Sequence, residues 1–241
     1  MLLKPYKRVL VKLSGEALLG DGRCGFDYKI CEFICQILWD IRKSGIEVGV
    51  VIGGGNIFRG QSALEFGFER TPADNIGILA TCINGLALHQ VFISMGVKAR
   101  VMSSRNFDGI IQQYNWQETK LLLEDDTIVI FVGGTGNPYF TTDTAAALRG
   151  CEIGADVLIK LTKVDGVYDK DPIKDLTAVK FDHLTYEEAL KLGLQVMDAT
   201  AIALCRDNNL DIRVVNLFSK KDIMNAIIHQ HGGTLITKKA E

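Results

Sequence analysis

Nine charged side chains fall at the ends of apolar runs or in the loops that follow them: Lys12, Arg59, Asp74, Asp143, Lys160, Lys163, Asp165, Asp169 and Asp171. They are cations and carboxylates with no proton-moving dyad among them. The four histidines, His89, His183, His229 and His231, lie in predicted helices or near helix ends. His229 and His231 are two apart, a spacing that does not share a helix face, so they make no metal site. No G-x-S-x-G elbow or H-E-x-x-H motif occurs, which argues against hydrolase chemistry. What remains suits phosphoryl transfer, in which positioning and charge stabilisation carry most of the catalysis. The fitting acceptor is one already ionised: a monophosphate, with a second pKa near ~6, attacks at neutral pH without a general base.

Anion chemistry also needs backbone. The stretch "VVIGGGNIFRG" runs an apolar strand into Gly53, Gly54 and Gly55, and three glycines in a row cost chain entropy without some return. "KLSGEALLG" and "GGTGNPYFTTD" are likewise rich in glycine, hydroxyls and amides, placed to offer N–H groups to an anion. The familiar phosphate motifs are absent. There is no G-x-x-x-x-G-K-[ST], and the G-x-G at Gly53 reaches Phe58 where a dinucleotide fingerprint needs its third glycine. H-R-D and D-F-G are missing too, which excludes a protein-kinase fold.

The elements that must position these groups alternate. "RVLVKLSG", "EVGVVIG", "VKARVMS", "DTIVIFVGG", "ADVLIKLT" and "DIRVVN" read as strands, several apolar on both faces as in a covered parallel sheet. Helical patterns lie between them. "DYKICEFICQILWDIRKSG" closes on Lys43 and Gly45, and "NWQETKLLLEDD" opens with Asn115 and Glu118 at capping-box spacing. "DNIGILATCINGLALHQVFISMG", "TTDTAAALRGCEIG", "TYEEALKLG", "DATAIALCRDNN" and "KKDIMNAIIHQHGG" complete the set. The predicted fold is a three-layer α/β/α sandwich with a mostly parallel central sheet. In such sheets ligands collect at the carboxyl ends of the strands, where the three loops above begin.

Composition agrees. A chain of 241 residues that is 47% hydrophobic can bury a large core as one sizeable domain or two close ones, and with four prolines and no low-complexity stretch to cut it the chain reads as a single domain. A net charge of −2 supplies no global basic field, which argues against nucleic acid or an anionic membrane as partner. The six cysteines are scattered with no C-x-x-C pair and read as reduced core residues of a cytoplasmic protein. The first 15 residues are broken by Lys4, Lys7, Arg8 and Lys12, so neither a leader nor a membrane span is expected.

Four stretches, "KRVLVKLSGEAL", "GVVIGGGNIFRG", "GTGNPYFTTDTAAALR" and "TKVDGVYDKDP", resemble in order the motifs of the bacterial uridylate (UMP) kinases, which have the amino-acid-kinase fold. The likeness runs from about residue 6 to 237. It implies an eight-stranded α/β/α sandwich, transfer of the ATP γ-phosphate to UMP, Mg²⁺ accompanying ATP, and a homohexamer. Residues 1–150 would bind UMP and phosphate, and residues 151–241 would bind ATP.

Carried over residue by residue, the resemblance makes Lys12 the phosphate-bridging lysine. Leu13, Ser14 and Gly15 fall on the turn that contacts ATP. Gly54 and Gly55 fall where backbone meets the phosphates, and Arg59 where an arginine reaches ATP. Asp74 matches the aspartate that accepts ribose hydroxyls of UMP, although alone it reads as a residue near a helix start. Thr135, Gly136, Asn137, Pro138, Tyr139, Phe140, Thr141 and Thr142 match the UMP-binding loop. Asp143 matches the aspartate that orients the catalytic lysine, with a helix N-cap as the plainer reading. Thr162, Tyr168 and Asp171 match ATP-binding positions, with Lys160 and Lys163 as added positive charge. Asp198 is a further candidate that reads equally well as a cap. The Asp169 and Asp171 spacing resembles a metal pair, yet Mg²⁺ commonly rides on nucleotide phosphates, so no protein metal site is assigned.

The resemblance further implies inhibition by UTP and activation by GTP. Arg100 falls where an effector contact is expected, but His89 stands where another arginine would be, and a mostly neutral histidine cannot fork onto phosphate. Two other readings stay open at the level of sequence. One is a sibling kinase acting on acetylglutamate, aspartate or carbamate. The other is a pyrimidine-nucleotide sensor that binds without turnover.

Overall fold

The computed structural model describes residues 4–194 and 196–239; residues 1–3, which head the stretch read as carrying no leader, lie outside it, as do 195 and 240–241. The chain runs β1 (Arg8–Leu13), a 3₁₀ turn (Gly15–Leu18), α1 (Tyr28–Lys43), β2 (Glu47–Ile52), α2 (Gly60–Glu65), α3 (Arg70–Ser94), β3 (Ala99–Ser103), β4 (Gln112–Gln113) and α4 (Trp116–Glu124). It continues through β5 (Ile128–Val132), α5 (Thr142–Ile153), β6 (Val157–Thr162), β7 (Val167–Tyr168), β8 (Lys180–Phe181), β9 (His183–Thr185) and α6 (Tyr186–Lys191). Last come α7 (Ala199–Asn208), β10 (Asp211–Asn216), α8 (Lys220–Ile228) and β11 (Thr234–Thr237).

Nine strands form one sheet in the order β4-β3-β5-β2-β1-β6-β10-β11-β9, and β7 pairs with β8 as a separate hairpin. Within the sheet β10 and β11 are antiparallel, and the other neighbours are parallel. This is the expected α/β/α sandwich, with one more strand than the resemblance implies if the two-residue β4 is counted. Every residue of β1, β2 and β5 is buried, because helices cover both faces. One face packs Val9, Val11 and Leu13 under α1, α3 and α8; the other packs Leu10, Val129 and Leu158 under α4, α5, α6 and α7. Strand alternation therefore puts Lys12 on the Leu10 side, facing α5.

The six long strands read from the sequence are all present, whereas α2, β4, β7, β8, β9 and β11 are not among the runs read there. His183, placed near a helix by the sequence reading, opens β9 and bonds Thr237. Asn115 does cap α4 by accepting from the Glu118 N–H, but Glu118 turns to Gln112 instead of closing the box. The reciprocal box forms at α6, between Thr185 and Glu188.

Helix α3 is long and apolar enough by composition to cross a membrane, yet half of its most apolar 18-residue window is buried in the fold. Its inner face lies so close to the sheet that a Cβ on Gly85 would stand 2.2 Å from a methyl of Val132. Its outer face leaves Ile76, Leu79, Ile83 and Ile93 exposed. Gly85→Ala gains helix propensity of about 1 kcal/mol, but overpacking costs typically about 1–3 kcal/mol. The collision should win, lowering stability by about 1 kcal/mol or more in urea denaturation; a stabilised variant would show that α3 can move off the sheet.

Candidate active site

Lys12 and Lys160 are partners in the register of β1 and β6, so their side chains leave the sheet side by side. Both are met by Asp143, in the first turn of α5. One carboxylate oxygen lies 2.6 Å from Lys12 Nζ and the other accepts from Lys160 Nζ at 2.9 Å. The Lys12 contact is an ion pair without hydrogen-bond angles, since that oxygen finds no hydrogen-bond partner. Lys160 also donates to the Val196 carbonyl. Burial pushes the Asp143 carboxyl up, but Lys12 and Lys160 outweigh it and hold it below the ordinary range. Burial pushes the Lys160 ammonium down, and Asp143 restores only part of that.

Asp143 is not the N-cap of α5. The cap is Thr141, whose Oγ accepts from the Asp143 N–H at 3.0 Å and donates to Asp198. Asp198 serves two ends at once, capping α7 through the Ala201 N–H at 2.8 Å and accepting from the Thr144 hydroxyl. The cap reading of Asp198 is thus correct, and the same carboxylate ties α7 to the start of α5.

The glycine loops after β1 and β2 interlock. A Cβ on Gly15 would meet Gly53 O and Gly55 N at 2.7 Å, and one on Gly54 would meet Ala80 of α3 at 2.8 Å. Only at Gly55 would it make ordinary contacts, with Glu16 from 3.5 Å outward. Backbone packing therefore requires Gly15, Gly53 and Gly54 before any ligand is considered. Behind them a buried amide pair, Asn56 and Asn84, exchanges hydrogen bonds at 2.7 and 2.9 Å while Asn84 donates to Gly53 O. Leu13 offers no side chain to a ligand, being fully buried, and its carbonyl is taken by the Gly53 N–H. Ser14 makes no capping bond and keeps its hydroxyl free of the following turn. Arg59 reaches across to Glu16 at 3.0 Å.

A cleft of about 660 Å³ opens beside these loops, lined by Gly54, Gly55, Asp74, Thr135, Asn137, Phe140, Thr141 and Thr142 among the residues anticipated. Phe58, Arg70, Ile78 and Thr81 line it as well and were not anticipated. Gly136, Pro138 and Tyr139 belong to the same loop but not to the lining. Asp74 lies inside α3, five residues into the helix. Its Oδ2 accepts from Arg70 Nε and from the Tyr139 N–H, both at 2.7 Å.

A second cleft of about 560 Å³ is lined by Lys160, Thr162, Tyr168, Asp171 and the apolar Val164, Leu194, Val196 and Val214. Tyr168 donates to Asp165 at 2.5 Å, and that carboxylate pushes the phenol up to about 12. Asp169 and Asp171 each serve the backbone of their own loop. Asp169 accepts from the Val179 N–H at 2.8 Å and Asp171 from the Ile173 N–H at 3.0 Å, each closing part of the β7–β8 connection. Lys163 is exposed. Among the described residues no group of three His, Cys, Asp or Glu could cage a cation. His89 places Nε2 3.2 Å from the Ala99 carbonyl, and Arg100 is exposed on β3.

Lys160 is the residue that sequence reasoning undervalued. The signal was available: "VKLS" in β1 and "IKLT" in β6 place a lysine at the same point of two strands that turn out to be neighbours in register.

Breaking the cluster from either side has unequal consequences. Asp143→Asn leaves two buried ammonium groups facing each other and should cost about 3–5 kcal/mol. Lys12→Met leaves Asp143 paired with Lys160 and should cost about 1–2 kcal/mol. Because its folded carboxyl is depressed, Asp143 contributes fully above about pH 4 and loses that contribution as pH falls through the lower folded value. Urea denaturation from pH 7 downward checks both points, and Asp143→Asn should flatten part of the acid limb. Equal losses for the two variants would mean that the lysines do not repel one another.

Residues 7–216 match the model of the amino acid kinase family. The chain is 52% identical to the uridylate kinase of Protochlamydia amoebophila over 211 residues, 88% of this chain and 84% of that one. It is 47% identical to the uridylate kinase of Bacteroides thetaiotaomicron over 232 residues, 96% of this chain and 98% of that one. The UMP kinase structure from Bacillus anthracis superposes with a TM-score of 0.95 at 40% identity, covering 98% of both chains. That from Ureaplasma parvum gives 0.90 at 35%, covering 98% of this chain and all of the other. With its register-paired lysines, its interlocked glycine loops and relatives alike along nearly its whole length, this chain belongs to the amino acid kinase family, among the uridylate kinases.

Proposed function

We infer that this protein is a UMP kinase, transferring the γ-phosphoryl group of ATP to UMP to give UDP and ADP. The observation that carries the reading is the buried lysine pair that shares Asp143. Lys160 lines one cleft, and Thr142, the residue before Asp143, lines the other. ATP is assigned to the Thr162 and Tyr168 side, within residues 151–241, with its phosphates over Lys12, Ser14, Gly15 and Gly55. UMP is assigned to the Asp74 and Thr135–Thr142 side, within residues 1–150. An oxygen of the ionised acceptor phosphate attacks the γ-phosphorus, the bond to the β,γ-bridging oxygen breaks, and its electron pair leaves with ADP. Lys12 and Lys160 stabilise the charge that spreads over the transferred group, and Asp143 holds them at fixed separation. Mg²⁺, when bound, neutralises phosphate charge, and the donor set fits it as a passenger of the nucleotide because the nearby carboxylates are already engaged.

The same reading covers assembly, place and control. The exposed apolar residues of α3 support a homo-oligomer, the hexamer that the resemblance implies, and unpaired cysteines support a cytoplasmic setting. UTP would inhibit by entering the acceptor cleft. GTP activation has less support, because His89 uses a ring nitrogen on Ala99 and presents no fork to phosphate.

ADP release from ATP and Mg²⁺, measured across UMP, CMP, dUMP, acetylglutamate, aspartate and carbamate, should show turnover with UMP and little response to GTP. Binding of UMP without turnover would replace the kinase reading with a sensor. Lys12→Ala should lower kcat about a hundredfold or more while changing UMP binding little, since its charge acts mainly in the transition state. Ile83→Glu should shift the sedimenting species to lower mass; an unchanged mass would remove α3 from the assembly.

A further inference from the structure

We propose that Arg70 is a positioning residue that sets ribose discrimination in the acceptor cleft, by committing one oxygen of Asp74 to the protein and leaving the other for the ligand. The proposal rests on the acceptor reading of Asp74 given above. Asp74 Oδ2 is fully occupied, taking Arg70 Nε and the Tyr139 N–H at 2.7 Å each. Among the described residues Oδ1 receives no hydrogen bond, and it lies 3.9 Å from where a Cβ on Gly60 would stand, with Gly60, Arg70 and Asp74 all lining the cleft. The two oxygens of one carboxylate are thus divided between scaffold and cavity.

Helix stability does not explain Arg70. It is the first residue of α3, where the helix dipole disfavours a cation, and an arginine four residues before an aspartate is the weaker order for a helical pair. The arrangement gains a fixed carboxylate instead. The guanidinium also lies over the Tyr139 ring, 5.4 Å from its centroid, and Tyr139 holds a left-handed backbone (φ 72°) in which its N–H meets Asp74. Three groups from α3 and the loop after β5 therefore lock one rotamer. Arg70 also cancels the charge of an aspartate in a cleft that must accept a nucleotide dianion. With Oδ1 fixed, a ribose hydroxyl completes it, and a deoxy ligand leaves a half-buried acceptor unpaired, which is how a polar site rejects an analogue lacking one hydroxyl.

The test is steady-state kinetics of the full chain with UMP, 2′-deoxy-UMP and 3′-deoxy-UMP, on wild type, Arg70→Met, Arg70→Lys and Asp74→Asn. Arg70→Met should raise KM for UMP about tenfold, the order of one charge-assisted hydrogen bond, with kcat within about twofold. Its preference for UMP over the deoxy analogue that wild type rejects should fall by a similar factor. Arg70→Lys keeps charge without the planar fork, so it should recover part of KM but not the preference. Arg70→Gln replaces the Met variant if that one does not fold. If Asp74→Asn loses the preference while Arg70→Met keeps it, losing both substrates equally, Arg70 is not the positioning group. If Asp74→Asn keeps the preference, the ribose role of Asp74 fails and this inference with it. A wild type that turns over no UMP would instead sink the kinase reading itself.

Discussion

Two ammonium groups fixed side by side by strand register are the constraint on which the rest of this molecule depends. Lys12 and Lys160 cannot drift apart, because β1 and β6 pair them directly. They cannot be hydrated freely either, because both are largely buried. A single carboxylate makes the arrangement tenable, and it must come from a different element. That requirement fixes where α5 begins. Thr141 caps the helix, Asp143 follows in its first turn, and Asp198 anchors the cap from the head of α7. A chain of dependence thus runs from the centre of the sheet through α5 to the head of α7.

The glycine loops obey a different constraint, that of backbone meeting backbone. Gly15 and Gly53 come from neighbouring strands and approach until no Cβ fits between them. Gly54 is pressed against α3 in the same way. The Asn56–Asn84 pair holds this packing from behind, with each amide satisfying the other away from water. Crowding on the protein side orients the loop and leaves Gly54 and Gly55 lining the cleft. On the proposed reading, packing and anion binding are two uses of the same missing side chains.

How much of this could be read from the residues differs by kind. β1, β2, β5 and β6 are legible because strands buried on both faces read as continuous β-branched runs, as "VLIKLT" does. β9 and β11 are not, because "HLT" and "TLIT" are too short for any period and owe their strand form to pairing with each other and with β10. The charged residues at strand ends are legible as an inventory and the resemblance joins Asp143 to Lys12, but the place of Lys160 on the same carboxylate is not legible. Asp143 and Lys160 are 17 residues apart and meet only through the β1–β6 register and the start of α5. Arg70 was invisible for the opposite reason: an arginine before a proline-containing helix start looks like solvent-facing charge until Tyr139 arrives from a distant loop.

The charge balance of the two clefts explains how a protein with net charge −2 attracts nucleotides at all. Arg59 answers Glu16, Arg70 answers Asp74, Lys170 answers Asp175 and Lys174 answers Asp171. Each of these pairs is neutral and adds little to the net field. The lysine pair differs, with two cations sharing one carboxylate. Among these groups the surplus positive charge is therefore confined to the lysine pair, in a largely buried setting where a charge acts more strongly than at the surface. On the proposed assignment of the two nucleotides, phosphate would be drawn to this pair, and the nucleosides would be sorted by the neutral contacts of the clefts.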